Sequence, residues 1–380
     1  MDSLSVYRQI YNDLLEKIVS GRYNAGDRLP SESDLSQAYG VSRITSKRAL
    51  DLLADQGIIV RQSGKGSFVN GAYKNPADTA ATRLIGFVLP DFSDSFGTRL
   101  IYSVEESCKA YGYQLVLRRT RDQSDEEEGA IKSLSGVAGI LLLPVHGALY
   151  NPEVLKLIID KRALVLVDRK MKGLGAPSIS SNNMEAAEAG TRYLFQLGHR
   201  NIAFFSGPVN HTSTVEERQQ GYLRAHAEFR THPNPEYICQ SFSSSWTGPY
   251  YSSKSVSMDV EAAIKYLKSH PEISAAFTSE YIIACMVKDA VEALGRKVPK
   301  DFSIVTFDSP PSVAEVPPFT HLFQDEYAMG KAAVQTLEGI ISKNVPASAG
   351  EITVPARLII GASTCAKDSG KTAKQSENKQ

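Results

Sequence analysis

One set of polar and aromatic side chains in this 380-residue chain has the types and the placing to hold a ring rich in hydroxyls. Asp91, Ser95 and Phe96 follow the apolar run 84–90. Arg118, with Arg119 beside it, follows 113–117. Asp168 and Arg169 close the run 163–168, and Phe242 ends 237–242. Glu280 and Tyr281 follow 275–279, Asp308 ends 302–308, and Gln324 lies in a late segment, HLFQDE. Arg218 falls early in the helical stretch after 201–208. Carboxylates, arginine and glutamine give hydroxyls paired hydrogen bonds, and an aromatic ring stacks on the apolar face of a sugar. Any one of these residues is as readily a wet loop charge, since strand ends usually face water. Their convergence beyond the strand ends is what makes them a candidate effector site.

A second set lies near the N-terminus. Ser42, Arg43, Ile44, Thr45 and Lys47 open a helical stretch, and Gly64, Lys65 and Gly66 form a turn downstream. Arg43 suits a bidentate contact to guanine, and Ile44 an apolar contact to a thymine methyl. Ser42 and Thr45 suit phosphate oxygens. Lys47 and Lys65 add point charges for the DNA backbone. The two glycines let the chain approach a duplex closely. Ser31 and Glu32 belong to the same candidate DNA set, with Glu32 read as a helix-start residue more than a base reader.

The elements that must position these residues can be read from periodicity. Tyr7, Ile10, Tyr11, Leu14, Leu15 and Ile18 give one apolar helical face. Ser31 opens a second helix with Asp34 three residues on, a near match to a capping box, and Gly40 stops it. Ser42 caps a third helix running to about Gln56. Two short strands, 58–61 and 67–70, flank the turn 63–66. Together these predict a winged helix-turn-helix, whose third helix enters the major groove. Residues 71–83 are small and polar and read as a linker. From Leu84 onward, near-continuous apolar runs alternate with helical stretches, which predicts parallel strands with helical crossovers. Two such series in succession predict an α/β effector domain of two doubly wound lobes facing each other across a cleft. That domain spans 84–366, and residues 367–380 read as a disordered tail.

Bulk properties narrow the function classes. The formal net charge is zero, so any DNA affinity rests on a local basic patch. The four cysteines are scattered without CxxC spacing, which argues against structural zinc or any other metal site. No glycine motif for a nucleotide is present, so no cofactor is expected. The N-terminus lacks the apolar core of a signal peptide, and no run approaches the about 18 apolar residues of a membrane span; a cytoplasmic protein that does not engage membranes is expected. The acidic stretch 122–128 reads as a solvated helix start. His199 and Arg200 read as a helix-end turn without catalytic role. Residues 243–257 read as an insertion, with Trp246 a candidate roof over the cleft.

Two family resemblances sharpen these readings. Tyr7, Gln9, Ile10, Gly26, Asp27, the LPSE run at 29–32, Val41, Ser42, Arg43, Thr45, Ala49, Leu50, Gly64, Gly66, Phe68 and Val69 resemble, in order, the GntR family of bacterial transcription factors. Ser46 and Lys47 depart from it, where an apolar residue and an arginine are usual. IGFVLPDFSDSF, LGHRNIAFFSGP, ERQQGY, VPKDFSIVTFD and FTHLFQ resemble the LacI family, whose pocket arginine, aspartate and glutamine then fall on Arg218, Asp308 and Gln324. That family's Asn-Asp pair is replaced by Glu280-Tyr281, and its hinge-helix pattern is missing from 71–83. The combination resembles the arabinose repressors of Gram-positive bacteria. It implies a homodimeric DNA-binding repressor of carbohydrate genes, released from double-stranded operator DNA by a small, arabinose-like sugar, and not an enzyme. Two alternatives are weighed against it: a sugar-binding module for uptake, and a GntR-type regulator with an enzyme-derived domain, which would need a Schiff-base lysine in a longer catalytic domain.

Overall fold

The computed structural model describes all residues except 1–2, 20–21, 71–82, 148–150, 172, 209–211, 244–251, 311–313, 347, 349 and 368–380. The expected linker, the tail and Trp246 lie largely or wholly outside the described residues. Contacts divide the chain into two units, Met1–Arg83 and Leu84–Gln380.

In the first unit, helix α1 (Ser3–Val19) buries Tyr7, Ile10, Leu14 and Ile18. Ser31 caps α2 (Glu32–Tyr39) in a true capping box: Asp34 N–H donates to Ser31 Oγ at 3.2 Å, and the Asp34 carboxylate accepts from Ser31 N–H at 2.8 Å. Gly40 ends that helix in the left-handed region, at φ 62°. Ser42 caps α3 (Arg43–Asp55) by accepting from Thr45 N–H at 3.2 Å. Strands β1 (Ile59–Gln62) and β2 (Gly66–Val69) pair antiparallel and form the wing. Ala49, Leu50 and Leu53 of α3 close the core against α1. Ser46 is fully buried in the same helix, and its hydroxyl has no partner among the described residues.

The second unit holds two six-stranded sheets. The first has the order β13-β7-β6-β5-β3-β4, all parallel: β3 (Leu84–Leu89), β4 (Gln114–Arg119), β5 (Gly139–Leu142), β6 (Leu164–Val167), β7 (Ser178–Ser181) and β13 (Glu351–Val354). Helices α4 (Thr98–Ala110), α5 (Ser124–Ser133) and α6 (Pro152–Ile159) connect its early strands. The second sheet has the order β14-β12-β11-β10-β8-β9: β8 (Ile202–Phe205), β9 (Ile238–Cys239), β10 (Ala275–Thr278), β11 (Ser303–Phe307) and β12 (Thr320–Phe323) run parallel, and β14 (Arg357–Ile359) antiparallel. Its helices are α7 (Asn183–Gln196), α8 (Ser213–Glu228), α9 (Ser253–Ser269) and α10 (Tyr281–Ala293).

The lobes are not simply consecutive, as the strand series suggested. Helix α11 (Glu326–Ile341) leaves the second sheet and returns to the first, where Met329, Ala333, Val334 and Leu337 pack with Leu100, Val104 and Leu141. The chain then adds β13 to the first sheet and β14 to the second. Three segments therefore join the lobes: β7 to α7, β12 to α11, and β13 to β14. Such a multiple connection restricts the lobes to hinge-like motion about a common edge.

Candidate functional site

A cleft of about 750 Å³ opens between the two sheets of the second unit, at the carboxyl ends of their strands. A volume of this order suits a small ligand. The loop after β3 forms one wall. Gly97 turns it at φ 102°, where an added Cβ would stand 2.7 Å from Phe92 Cβ. Glu326, at the start of the returning helix α11, fixes this loop from behind. It accepts from Gly97 N–H at 2.6 Å and is gripped by Arg99 at 2.8 and 3.0 Å. Asp91 on this loop pairs with Arg119 at 2.7 Å, and the Arg119 guanidinium lies 5.9 Å from the Phe92 ring centroid.

Asp168 and Asp308 occupy equivalent places, just past β6 in one lobe and β11 in the other. Both adopt left-handed backbone, at φ 64° and 61°. Such strain in non-glycine residues gathers at functional sites. Burial raises the Asp168 carboxyl against the pull of Arg218 and Arg169, and its Oδ1 has no hydrogen-bond partner among the described residues. Asp308 accepts from Gln324 Nε2 at 2.7 Å, and burial pushes its carboxyl up to about 7. Burial likewise pushes Glu280 to about 7, although Arg218 opposes the shift.

Arg218 stands among these carboxyls and is 4% exposed. Its Nε donates to Asn183 Oδ1 at 2.9 Å and its Nη1 to the Ser279 carbonyl at 2.7 Å. Its guanidinium carbon lies 3.8 Å from the Phe307 ring centroid. On the first-lobe side, Asp122 accepts from His146 N–H and pairs with its Nδ1, both at 2.8 Å, and lies 3.8 Å from Arg169. Among the described residues, Asp168 Oδ1, Arg169 Nε, Thr212 Oγ1 and Gln324 Oε1 are buried polar atoms without a hydrogen-bond partner, all on cleft-lining residues. An unmet buried polar group costs about 1–3 kcal/mol, so four on one cleft mark a surface built for polar partners.

Of the sequence-derived effector residues, Asp91, Ser95, Phe96, Asp168, Arg218, Glu280, Tyr281, Asp308 and Gln324 line the cleft. Two do not. Arg118 turns to the opposite face of β4, where its Nε donates to Ser133 Oγ at 3.3 Å; Arg119, one residue on, faces the cleft instead. Strand alternation is the cause. Phe242 is 1% exposed and packs edge-on against Phe205, with ring centroids 5.8 Å apart. The strand expected at 237–242 pairs only through Ile238–Cys239, after which the chain folds the ring into the core. Arg169 and Arg119, read at strand ends beside Asp168 and Arg118, line the cleft, as do His146, Thr212, Thr214, Arg121 and Phe92, which the sequence did not single out. The acidic stretch is also not wholly solvated: Asp122 and Glu127 turn inward, and Glu127 accepts from Val145 N–H at 2.9 Å. His199 is buried between Ser274 Oγ and Ser303 Oγ, both at 3.0 Å, and joins strands instead of merely ending a helix.

In the first unit, Ile44 is 79% exposed at the opening of α3. Lys47 and Lys65 are exposed, and Ser42 caps the same helix turn. Arg43 donates to Ser33 Oγ at 3.1 Å, which steadies it across α2 while leaving other donors. Thr45 Oγ1 lies 2.9 Å from Ser42 Oγ. Gly64 and Gly66 turn the wing at positive φ. Two members of the set are committed to the scaffold: the Ser31 hydroxyl to Asp34 at 2.7 Å, and Glu32 to Arg61 of the wing.

Comparison with known proteins agrees with this architecture. Residues 6–69 match the family model of the bacterial regulatory proteins, gntR family, and residues 191–364 that of a periplasmic binding protein-like domain. The chain is 24% identical over 373 residues to the arabinose metabolism transcriptional repressor of Geobacillus stearothermophilus, covering 95% of this chain and 98% of that protein. It is 22% identical over 345 residues to the repressor of the same name from Halalkalibacterium halodurans, covering 89% of each. Among solved structures, the transcriptional regulator CelR–cellobiose complex superposes with a TM-score of 0.64 at 20% identity, over 88% of this chain and 100% of that one. The transcription regulator CcpA of Lactococcus lactis does so with 0.63 at 22%, over 74% and 99%.

Proposed function

We infer that this chain, which joins a GntR-family domain to a periplasmic-binding-protein-like domain, is a transcriptional repressor of sugar metabolism and not an enzyme. Residues 1–70 read double-stranded operator DNA through Arg43, Ile44 and the wing. Residues 84–366 bind the effector, and 71–83 link the two. The chain works in the cytoplasm as a homodimer, because one winged helix covers too short a site for typical specific affinity. The observation that carries the effector reading is the cleft itself: Arg218 among Asp168, Glu280 and Asp308, with unpaired polar atoms along its walls. Hydroxyls satisfy carboxyl and guanidinium groups together, as a small sugar would. The names of the two repressors refer to arabinose metabolism, which makes arabinose the first effector to try, beginning with its L form. Sugar binding releases the operator by favouring one lobe arrangement over the other.

A thermal-shift screen against a panel of neutral sugars, followed by gel-shift titration on operator DNA, tests this reading. A ligand that binds only the native state raises the melting temperature. A panel hit that also weakens the DNA complex is the expected result. A panel without any hit contradicts the effector assignment.

A further inference from the structure

We propose that Lys170, Glu217 and Asn183 form a positioning relay that sets Arg218 for the effector and ties that setting to closure of the two lobes. The proposal rests on the effector reading of the cleft. Lys170 follows β6 in the first lobe, two residues beyond Asp168. Its backbone N–H donates to Ser213 Oγ at 2.9 Å, and its Nζ to Glu217 Oε1 at 2.8 Å. Both partners lie in the opening turns of α8, in the second lobe. Glu351, at the start of β13, holds the same ammonium from the first-lobe side. Lys170 thus clasps the second lobe beside the cleft.

The clasp reaches the cleft through one amide. The other Glu217 oxygen accepts from Asn183 Nδ2 at 3.3 Å, and Asn183 Oδ1 accepts from Arg218 Nε at 2.9 Å. Asn183 is 1% exposed and opens α7, where the chain passes from the first lobe to the second. Its Nδ2 also donates to the Ser181 carbonyl at 3.1 Å, so the amide is held by Ser181 and Glu217 at one end and by Arg218 at the other. Glu217 and Arg218 are neighbours on α8, and one turn on, Gly221 packs against α7 so closely that an added Cβ would stand 2.1 Å from the Met184 carbonyl oxygen. The helices are locked where the relay crosses between them. Opening the lobes at Lys170 therefore releases one hold on Glu217 and, through it, one of the two holds on the Asn183 amide that meets Arg218 Nε, while Ser181 and Ser279 keep theirs. Lys170 and Glu217 are each 22% exposed, so solvent screens their pair less than an exposed one.

Calorimetric titration of the full chain with L-arabinose tests the relay, using the unmutated protein, Lys170→Met, Glu217→Gln and the double variant. Each single change should weaken sugar binding about five- to tenfold, and the double variant no more than the worse single one, as expected for one coupled network. Lys170→Arg, which keeps the charge, should bind within about twofold of the unmutated protein. A merely structural role would lower the melting temperature and leave sugar affinity alone. Folded single variants with unchanged affinity, or losses that simply add in the double variant, overturn the relay while leaving the effector reading intact. If neither L-arabinose nor the rest of the sugar panel binds the unmutated protein, the effector reading falls and the relay with it.

Discussion

Replacing Arg218 by alanine should separate sugar sensing from DNA reading. The side chain is 4% exposed, makes two hydrogen bonds to Asn183 and Ser279, and lies over the Phe307 ring. Truncation removes the donors that Arg218 itself can offer a sugar hydroxyl. A hydrogen bond to a charged group contributes about 1.5–3 kcal/mol, so losing even one such contact lowers sugar affinity about 10- to 150-fold. The loss also withdraws the cation that holds Glu280 and Asp308 down. Both carboxyls, which burial already raises, are pushed higher still, which favours their neutral form and weakens them as acceptors for the hydroxyls. Asn183 Oδ1 and the Ser279 carbonyl lose a partner too, at a cost of about 1–3 kcal/mol each in stability. Arg218→Lys keeps the charge without the fork and serves as the second variant if the alanine form melts early. Sugar affinity is read by calorimetry and operator affinity by gel shift. Operator binding without sugar should stay within about twofold, because residues 1–83 are a separate unit. A folded Arg218→Ala protein that binds sugar like the unmutated one would rule out Arg218 as an effector contact.

Arg43→Ala should cost about 1–3 kcal/mol on the operator and relax preference at one base, whereas Lys47→Ala and Lys65→Ala should weaken binding to all sequences and lower the salt slope; gel shifts over a salt series distinguish them. Ser46→Ala removes a buried, unpaired hydroxyl and favours the helix, so the reader should gain about 1 kcal/mol and melt about 4–8 °C higher in scanning calorimetry. Acid should destabilise the protein between about pH 6.5 and 4, because burial lowers His199 and His226 to about 4 and the unfolded chain binds the protons first. Glu280 and Asp308, raised to about 7, act in the opposite sense, their contribution complete below about pH 4 and lost as pH climbs to about 7; His226→Gln should therefore flatten the acid limb of a melting-temperature profile.

Local signals carried much of this structure. The Ser31 and Ser42 caps, Gly40 and the wing glycines state their roles in residue type and spacing, because caps and turns are decided within a few residues. The effector set was legible where a strand end alone places a side chain, as for Asp168, Asp308 and Glu280. Legibility failed where placement depends on a distant partner. Whether Arg118 or Arg119 meets the cleft depends on where β4 ends against β3, a one-residue register choice. Phe242 turns inward because its strand pairs for only two residues. Asp122 and His146 meet across 24 residues, and Glu326 reaches Gly97 across 229. No periodicity reports such contacts. The return of α11 to the first lobe is hidden for the same reason: an apolar face names a need for burial, not the sheet that meets it.

If the proposed sugar and DNA sites are coupled in one protein, thermodynamic linkage must appear between them. Sugar affinity is measured by calorimetry on the free protein and on its operator complex, at one salt concentration. If sugar and operator favour different arrangements, operator must lower sugar affinity by the same factor by which sugar lowers operator affinity. A clear drop in sugar affinity on the complex is expected, matched by gel-shift titration in the reverse direction. Equal sugar affinities in the two titrations would contradict that coupling.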